Sequence, residues 1–138
     1  MDNRITYLNT DLDLIGAEDL TELAQALEAA GVHALHVTNA DDGNFYATFE
    51  TDEKHSEPDA NISQMLSVIE SLTKPLLDVW RRCTLRDFNI GYDCGAEPWA
   101  FNHGLSTDLL QRLGSVGALL RITLYTDRDA AAGEASDV

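Results

Sequence analysis

Two side chains of this 138-residue chain have the types needed for nucleophilic chemistry: Cys94 and, nine residues later, His103. A thiolate with a histidine base and an orienting side chain such as Asp93 or Asn102 is a known catalytic arrangement. A reactive thiolate also needs an electropositive setting, whereas the charges around Cys94 are mostly acidic. The alternative is a half-buried cysteine that ends a strand, with His103 in a polar loop. The sequence therefore favours no catalytic site, and the candidates for one are Cys94 and His103.

Two further groups of side chains have the types that bind metals. His33 and His36 are three residues apart on a predicted strand, where such positions point to opposite faces, so we expect no shared metal. The other group consists of four aspartates in two predicted loops: Asp11, Asp13, Asp41 and Asp42. They would bind a hard cation only if the loops met, and the preference of aspartate for turns explains them more simply. Nucleotide-binding, zinc-protease, hydrolase and EF-hand motifs are missing too, so the sequence predicts no metal and no cofactor.

The loop around Trp99 is long for a connection between a strand and a helix. It spans residues 93–104, and long loops in compact domains are often functional. Its candidate binding residues combine aromatic area with polar groups: Trp99, Phe101, Asn102 and His103. That composition is typical of protein contact surfaces. The alternative is that Trp99 and Phe101 fold back, with Pro98-Trp99 covering one end of the core.

The chain is strongly acidic, and the acidity is concentrated in its first half. The net charge is −15. Residues 1–60 hold 14 acidic and 2 basic side chains, a net −12, whereas residues 61–138 hold 10 acidic and 7 basic ones, a net −3. Such a field repels nucleic acids and anionic membranes and attracts basic proteins, although acidity also serves solubility. We expect no nucleic acid and no membrane partner, and Asp41, Asp42 and Glu53 join the candidate binding residues.

No segment predicts membrane insertion or export. No apolar run approaches the roughly 18 residues that span a bilayer, and residues 1–4 lack the pattern of a signal peptide. Cys83 and Cys94 form neither a CxxC pair nor a disulfide framework, which is typical of a reducing compartment. The sequence predicts a cytoplasmic protein with free thiols.

Apolar patterning in the first 60 residues predicts three strands and one helix. Alternation predicts strands at residues 5–8, 35–37 and 45–50. The first strand is expected to end in the polar stretch 9–16. Leucines at helical spacing predict a helix from Glu18, which Gly31 is suited to end. The Asp42-Gly43 step can supply the positive φ of a hairpin turn, so the second and third strands should pair antiparallel.

The second half of the chain predicts more helix. Pro58 marks a helix start, and one apolar face follows over residues 62–72. Pro75 should break or kink this helix, with a further short helix over residues 76–83. Ser106 can cap a third main helix. Two strands complete the pattern, at residues 88–92 and 120–125.

These elements predict the α+β class. We expect one mixed, mainly antiparallel five-stranded sheet with about three helices packed on one face, in the order β-α-β-β-α-β-α-β. Residues 1–126 should form a single domain and residues 127–138 a flexible C-terminal tail. The sheet face opposite the helices would expose five side chains to a ligand or a second subunit: Tyr46, Thr48, Arg121, Thr123 and Tyr125.

Three segments carry a resemblance to a known group of proteins. They are the Ile/Leu-rich residues 61–72, the run Phe88-Asn89-Ile90-Gly91-Tyr92, and the closing pattern from Leu105-Ser106 to Leu120-Arg121-Ile122-Thr123-Leu124-Tyr125. The last two-thirds of the chain resembles small bacterial α+β domains of unknown function, related to immunity proteins of bacterial toxin systems. The resemblance implies a compact α+β domain and brings no catalytic residues.

The sequence thus favours a non-catalytic, acidic protein-binding module of the inhibitor or immunity type, with a basic protein as partner. The alternatives are a small enzyme that uses Cys94 and His103, and a ligand or metal sensor. The only basic cluster is expected to pair within the chain: Arg81, Arg82 and Arg86. Either a monomer or a homodimer is compatible with these patterns.

Overall fold

The structure is a computed structural model that describes residues 5–95 and 100–126. These residues form five strands and four helices. In chain order they are β1 (Thr6–Gly16), α1 (Thr21–Ala29), β2 (Val32–Asn39), β3 (Phe45–Thr51), α2 (Pro58–Glu70), α3 (Lys74–Arg82), β4 (Leu85–Asp93), α4 (Thr107–Ser115) and β5 (Leu119–Tyr125). The predicted α+β class is confirmed. The tail predicted at 127–138 lies outside the described residues.

The five strands form one open sheet in the order β2-β3-β1-β4-β5. Three of the four neighbouring pairs are antiparallel, and only β4 and β5 run parallel. The prediction of a mixed, mainly antiparallel sheet is therefore confirmed. The order places β1 at the centre and leaves β2 and β5 at the edges.

The described part of the chain has four helices rather than about three, because the further short helix predicted after the break at Pro75 is a separate element, α3. Pro75 lies in the first turn of α3, where its missing N–H group is not needed. The fully buried Trp80 anchors this helix, and its Nε1 donates a hydrogen bond to the Val116 carbonyl oxygen at 2.9 Å. The observed order is thus β-α-β-β-α-α-β-α-β.

Strand β1 is longer than predicted, since residues 9–16 continue the strand instead of forming a loop. Leu12 and Leu14 are buried on the helix side of the sheet, while Asp11 and Asp13 occupy the opposite side. The alternation of aspartate and leucine is that of a strand with one wet face. The prediction of a loop was wrong. It placed the preference of aspartate for turns above the alternation of polar and apolar residues, which is the period of two of a strand.

Several local predictions of capping and turn chemistry are confirmed. Gly43 has a φ of +87° in the turn that joins the antiparallel strands β2 and β3. Pro58 begins α2, and the Ser106 side chain accepts a hydrogen bond from the Leu109 backbone N–H at 3.1 Å. The buried face of α2 is the predicted one: Ile62, Met65, Leu66 and Ile69. One apolar core forms between the helices and the sheet.

Raising the pH above about 9 is expected to destabilise the fold through two acids on the helix side of the sheet. Burial raises the pKa of the Cys83 thiol to about 11 and the pKa of the Tyr7 hydroxyl to about 12. Both folded-state values lie above the ordinary ones, so this stabilisation is complete below about pH 9 and is lost as the pH rises through 11 and 12. Urea midpoints measured between about pH 8 and pH 11 check this. Cys83→Ala and Tyr7→Phe should each flatten the decline, and a decline as steep as that of the parent chain would contradict the assignment.

Candidate functional site

The four described helices pack on one face of the sheet, and the other face carries mainly polar side chains. We call this second surface the open face. It includes Asn9, Asp11, Asp13, Tyr46, Thr48, Glu50, Asp87, Asn89, Arg121, Thr123 and Tyr125. The five residues predicted for the surface opposite the helices are among them. The carboxylates among these residues, Asp11, Asp13, Glu50 and Asp87, outnumber the single guanidinium group of Arg121, so this part of the open face is negatively charged.

Three charged side chains meet at the centre of the open face. Asp13 on β1 lies directly opposite Asp87 on β4, and the Thr48 hydroxyl donates to Asp13 Oδ1 at 2.7 Å. Arg121 Nε donates to Asp87 Oδ2 at 2.6 Å. This hydrogen bond raises the pKa of Arg121, and the nearby Asp87 and Asp13 charges raise it further. The guanidinium group thus offsets two carboxylates that would otherwise repel each other across the strands.

Asp87 is the most enclosed charge of this face. Its side chain is 3% exposed, and Oδ1 accepts no hydrogen bond from the described residues. A buried carboxylate is costly unless it is paired, so burial of the Asp87 carboxylate depends on its ion pair with Arg121, whose side chain is about half exposed. The open face is therefore sensitive to any group that competes for this arginine.

A second acidic group lies toward the start of β1. Asn9 Nδ2 donates to Asp11 Oδ1 at 3.2 Å and to Glu50 Oε2 at 3.1 Å, so one amide links β1 to β3. Partial burial raises the pKa of Asp11, and the negative charges of Asp13 and Glu50 raise it further. A cationic group placed over these carboxylates would relieve that repulsion.

The two histidines of β2 do not alternate as predicted. A bulge at Leu35 shifts the register, so that His33 lies opposite Glu50 and His36 opposite Thr48 on β3. Those two β3 residues are two apart and share the open face, so both histidine positions belong to one side of the strand. The prediction of opposite faces was wrong because the bulge adds one residue to the period of two. Within the described ranges, no three His, Cys, Asp or Glu side chains are grouped as a metal site requires.

Most positive charges are already bound within the chain. Five of the seven lysines and arginines in the described ranges donate hydrogen bonds to acceptors within the chain: Lys74, Arg82, Arg86, Arg112 and Arg121. In the predicted basic cluster, Arg82 pairs with Glu18 and Arg86 binds backbone carbonyl oxygens, including that of Gly117. The acidic side chains outnumber these cations, so an excess of negative charge is left for solvent or a partner.

An apolar cleft of about 580 Å³ opens on the helix side, between β5 and α4. Cys94 and His103 both line it, together with Phe101, whose ring packs edge-on against Tyr92 at 5.0 Å between ring centres. His103 Nε2 lies 2.6 Å from Asp59 Oδ1, an orienting group that the sequence did not single out. No hydrogen bond joins the Cys94 thiol to the His103 ring, both of which are described. The cleft therefore brings Cys94 and His103 together without a hydrogen bond between their side chains.

The remaining predicted binding residues are dispersed. Asn102 is exposed in the same loop, and Trp99 lies outside the described residues. Asp42 belongs to the turn before β3, where it accepts hydrogen bonds from the Tyr46 hydroxyl at 2.6 Å and from the Asn44 backbone N–H at 2.9 Å. These bonds lower the pKa of Asp42. Asp41 precedes it in the turn.

Glu53 lies at the other end of β3, in a small polar cleft that Glu50 also lines. The acidic candidates Asp41, Asp42 and Glu53 therefore flank the open face at its two ends. Sequence reasoning missed Glu50 and Asp87, which lie on the face itself. The signal for Glu50 was present, because it alternates with the buried Phe49 in a predicted strand.

Comparison of the chain with protein-family models, with curated proteins and with solved structures gives no match. The resemblance to immunity-type domains thus stays a prediction. Within the described ranges, no helix is long and apolar enough to cross a membrane.

Proposed function

We propose that this chain is a non-catalytic binding module, of the inhibitor or immunity type, that applies the open face to a basic protein. One observation carries the proposal. Asp11, Asp13, Glu50 and Asp87 lie side by side on three central strands of a sheet face that none of the four described helices covers. A rigid sheet holds these carboxylates at fixed spacing, which gives a charged partner a preorganised surface.

The charge balance supports this choice. Because most described lysines and arginines are bound internally, the field over the open face is not neutralised by flexible cations of the same chain. Attraction of this kind accelerates encounter with a positively charged protein and weakens as salt is added. The turn carrying Asp41 and Asp42 and the segment carrying Glu53 extend the negative surface at both ends.

The cleft supports an enzyme less well. A thiol nucleophile needs its base within hydrogen-bonding distance, and the Cys94 thiol has no such bond to His103. The walls are mainly aliphatic and aromatic, which suits apolar contact more than polar catalysis.

Neutralising the open face is expected to slow association with the partner. The partner is first captured at low salt from a lysate of the source cell, identified and purified. The association rate constant of Asp11→Asn/Glu50→Gln should then fall about tenfold at low salt and converge with the parent at high salt. Both variant side chains keep an oxygen for Asn9, so the fold is not the cause. Stopped-flow or surface plasmon resonance measures these rates.

A matched control separates the site from net charge. Glu22→Gln/Glu57→Gln removes the same two charges from exposed positions of the helix layer. Its association rate constant should change less than about twofold. An equal loss in both double variants, or the absence of any basic protein among those captured, would refute the proposal.

A further inference from the structure

Strand β5 has one unpaired edge. Among the described strands it pairs only with β4, and the Cys94 backbone N–H donates to the Tyr125 carbonyl oxygen at 2.8 Å. Backbone groups alternate in direction along a strand, so the N–H and C=O groups of Ile122 and Leu124 point away from β4. These groups form a row of donors and acceptors that a further strand can use.

An apolar patch surrounds this edge. On the helix side, four large apolar side chains that line one cleft are each about half exposed: Phe101, Leu110, Ile122 and Leu124. A large apolar side chain presents roughly 150–200 Å² when fully exposed, so the four offer on the order of 350 Å². Leu119 and Tyr125, also about half exposed, flank the edge on the open face. Monomers rarely expose more than a few hundred Å² of contiguous apolar surface. A stable interface covers about 800 Å² on each partner, and a polar rim around this patch would supply the difference.

The opposite edge of the sheet is protected, whereas the residues that the structure describes give β5 no such protection. On β2, the bulge at Leu35 interrupts the ladder, and Glu28 Oε1 accepts the hydrogen bond of the Ala34 backbone N–H at 3.2 Å. Strand β5 runs without a bulge from Leu119 to Tyr125. Its single charge, Arg121, is engaged by Asp87 on the open face. Edge strands normally carry charges, bulges or proline that prevent pairing, so the edge of β5 is the exception in the part of the chain that the structure describes.

We propose that β5 pairs antiparallel with β5 of a second copy, so that a two-fold dimer shares one continuous sheet. The sequence of β5 is self-complementary when the two-fold axis passes through Thr123. Ile122 then lies opposite Leu124 of the partner subunit, and Arg121 opposite Tyr125 of the partner subunit. The first pair is apolar on the helix side, and the second places a guanidinium group on an aromatic ring. A register centred on Arg121 would oppose two like charges and is disfavoured.

The dimer would also shape the proposed binding surface, although the dimer proposal does not depend on the proposed function. A two-fold axis perpendicular to the sheet keeps both open faces on the same side, so one dimer presents two acidic surfaces in one plane. Two copies of net charge −15 repel each other at long range. Added salt should therefore strengthen the dimer, whereas it weakens binding of a basic partner.

Sedimentation velocity over a wide range of concentration tests the proposal. The parent chain should show a reversible monomer–dimer equilibrium that shifts toward dimer with salt. Ile122→Lys should raise the dissociation constant at least about tenfold, because a lysine on the edge opposes pairing. Leu35→Lys is the matched control on the opposite edge and should leave the constant unchanged. Circular dichroism and urea unfolding establish that both variants fold.

Two results would overturn the proposal. The first is a chain that stays monomeric at every concentration and salt level. The second is a Leu35→Lys variant that loses as much affinity as Ile122→Lys.

A Thr123→Cys variant tests the register of the paired edges. Opposed residues of a non-hydrogen-bonded pair have Cα atoms about 4.5 Å apart, within reach of a disulfide. Mild oxidation should therefore join the two introduced thiols across the two-fold axis, and peptide mass spectrometry distinguishes this bond from any that involves Cys83 or Cys94. A dimer whose introduced thiols do not crosslink to each other would exclude the Thr123 axis.

Discussion

Replacing Asn61 with alanine is expected to lower the free energy of unfolding by about 2–4 kcal/mol, because one buried amide joins α2 to two strands. Asn61 is 1% exposed. Its Oδ1 accepts hydrogen bonds from the Tyr7 hydroxyl at 2.8 Å and from the Thr10 backbone N–H at 3.2 Å. Its Nδ2 donates to the Thr51 hydroxyl at 2.7 Å. Alanine would leave the Thr10 N–H group buried without a partner and would open a small void.

Thermal and urea unfolding measure this loss, and the melting temperature should fall by roughly 5–15 °C. Asn102→Ala is the control, since it removes the same amide from an exposed loop and should change the free energy of unfolding by less than about 0.5 kcal/mol. Asn61→Asp should be no better tolerated, because it loses the donor to Thr51 and buries a charge at a 1% exposed position. Equal stability of Asn61→Ala and the parent would mean that the amide network does not hold α2 in place.

Replacing Arg121 with methionine is expected to lower the melting temperature by about 5–10 °C at neutral pH. Methionine keeps much of the length and apolar stem of arginine but removes the guanidinium group that donates to Asp87 Oδ2. The buried carboxylate then lacks its cation, and Asp13 lies directly opposite it. Part of the penalty is relieved because water gains access where the guanidinium group stood.

A second substitution identifies the cause. In an Asp87→Asn background no buried charge is left without its cation, so Arg121→Met should lower the melting temperature much less there than in the parent chain. Arg82→Met is the control, because its bond to Glu18 lies on the surface, and its melting temperature should change little. An equal loss in both backgrounds would show that lost packing, and not the charge of Asp87, explains the effect.

Local chemistry was readable from the sequence where neighbouring residues decide the backbone. Ser106 accepts the bond of the third residue of its helix, Gly43 takes the positive φ that its turn requires, and Pro58 occupies the first turn of α2. Each of these outcomes depends on contacts within a few residues. The α+β class followed in the same way, because the spacing of apolar residues within short segments distinguishes helices from strands.

The candidate site was predicted less well because it depends on pairing between distant segments. Asp13 and Asp87 are far apart in the chain, and only the β1–β4 register brings them together. Asp59 meets His103 for the same reason, across residues that no local pattern links. The bulge at Leu35 arises from pairing with the neighbouring strand β3, and it places His33 and His36 on the same side of β2.

By itself, the sequence determined the elements, their caps and the excess of negative charge, since these follow from composition and from interactions short in sequence. The tertiary structure alone decided that β1 runs on to Gly16, that its aspartates face away from the helices, and that no other described strand pairs with the outer edge of β5. The physical reason is that a strand has no hydrogen-bond partners of its own. Its extent, its register and the exposure of its edge are fixed only by the strands that come to lie beside it.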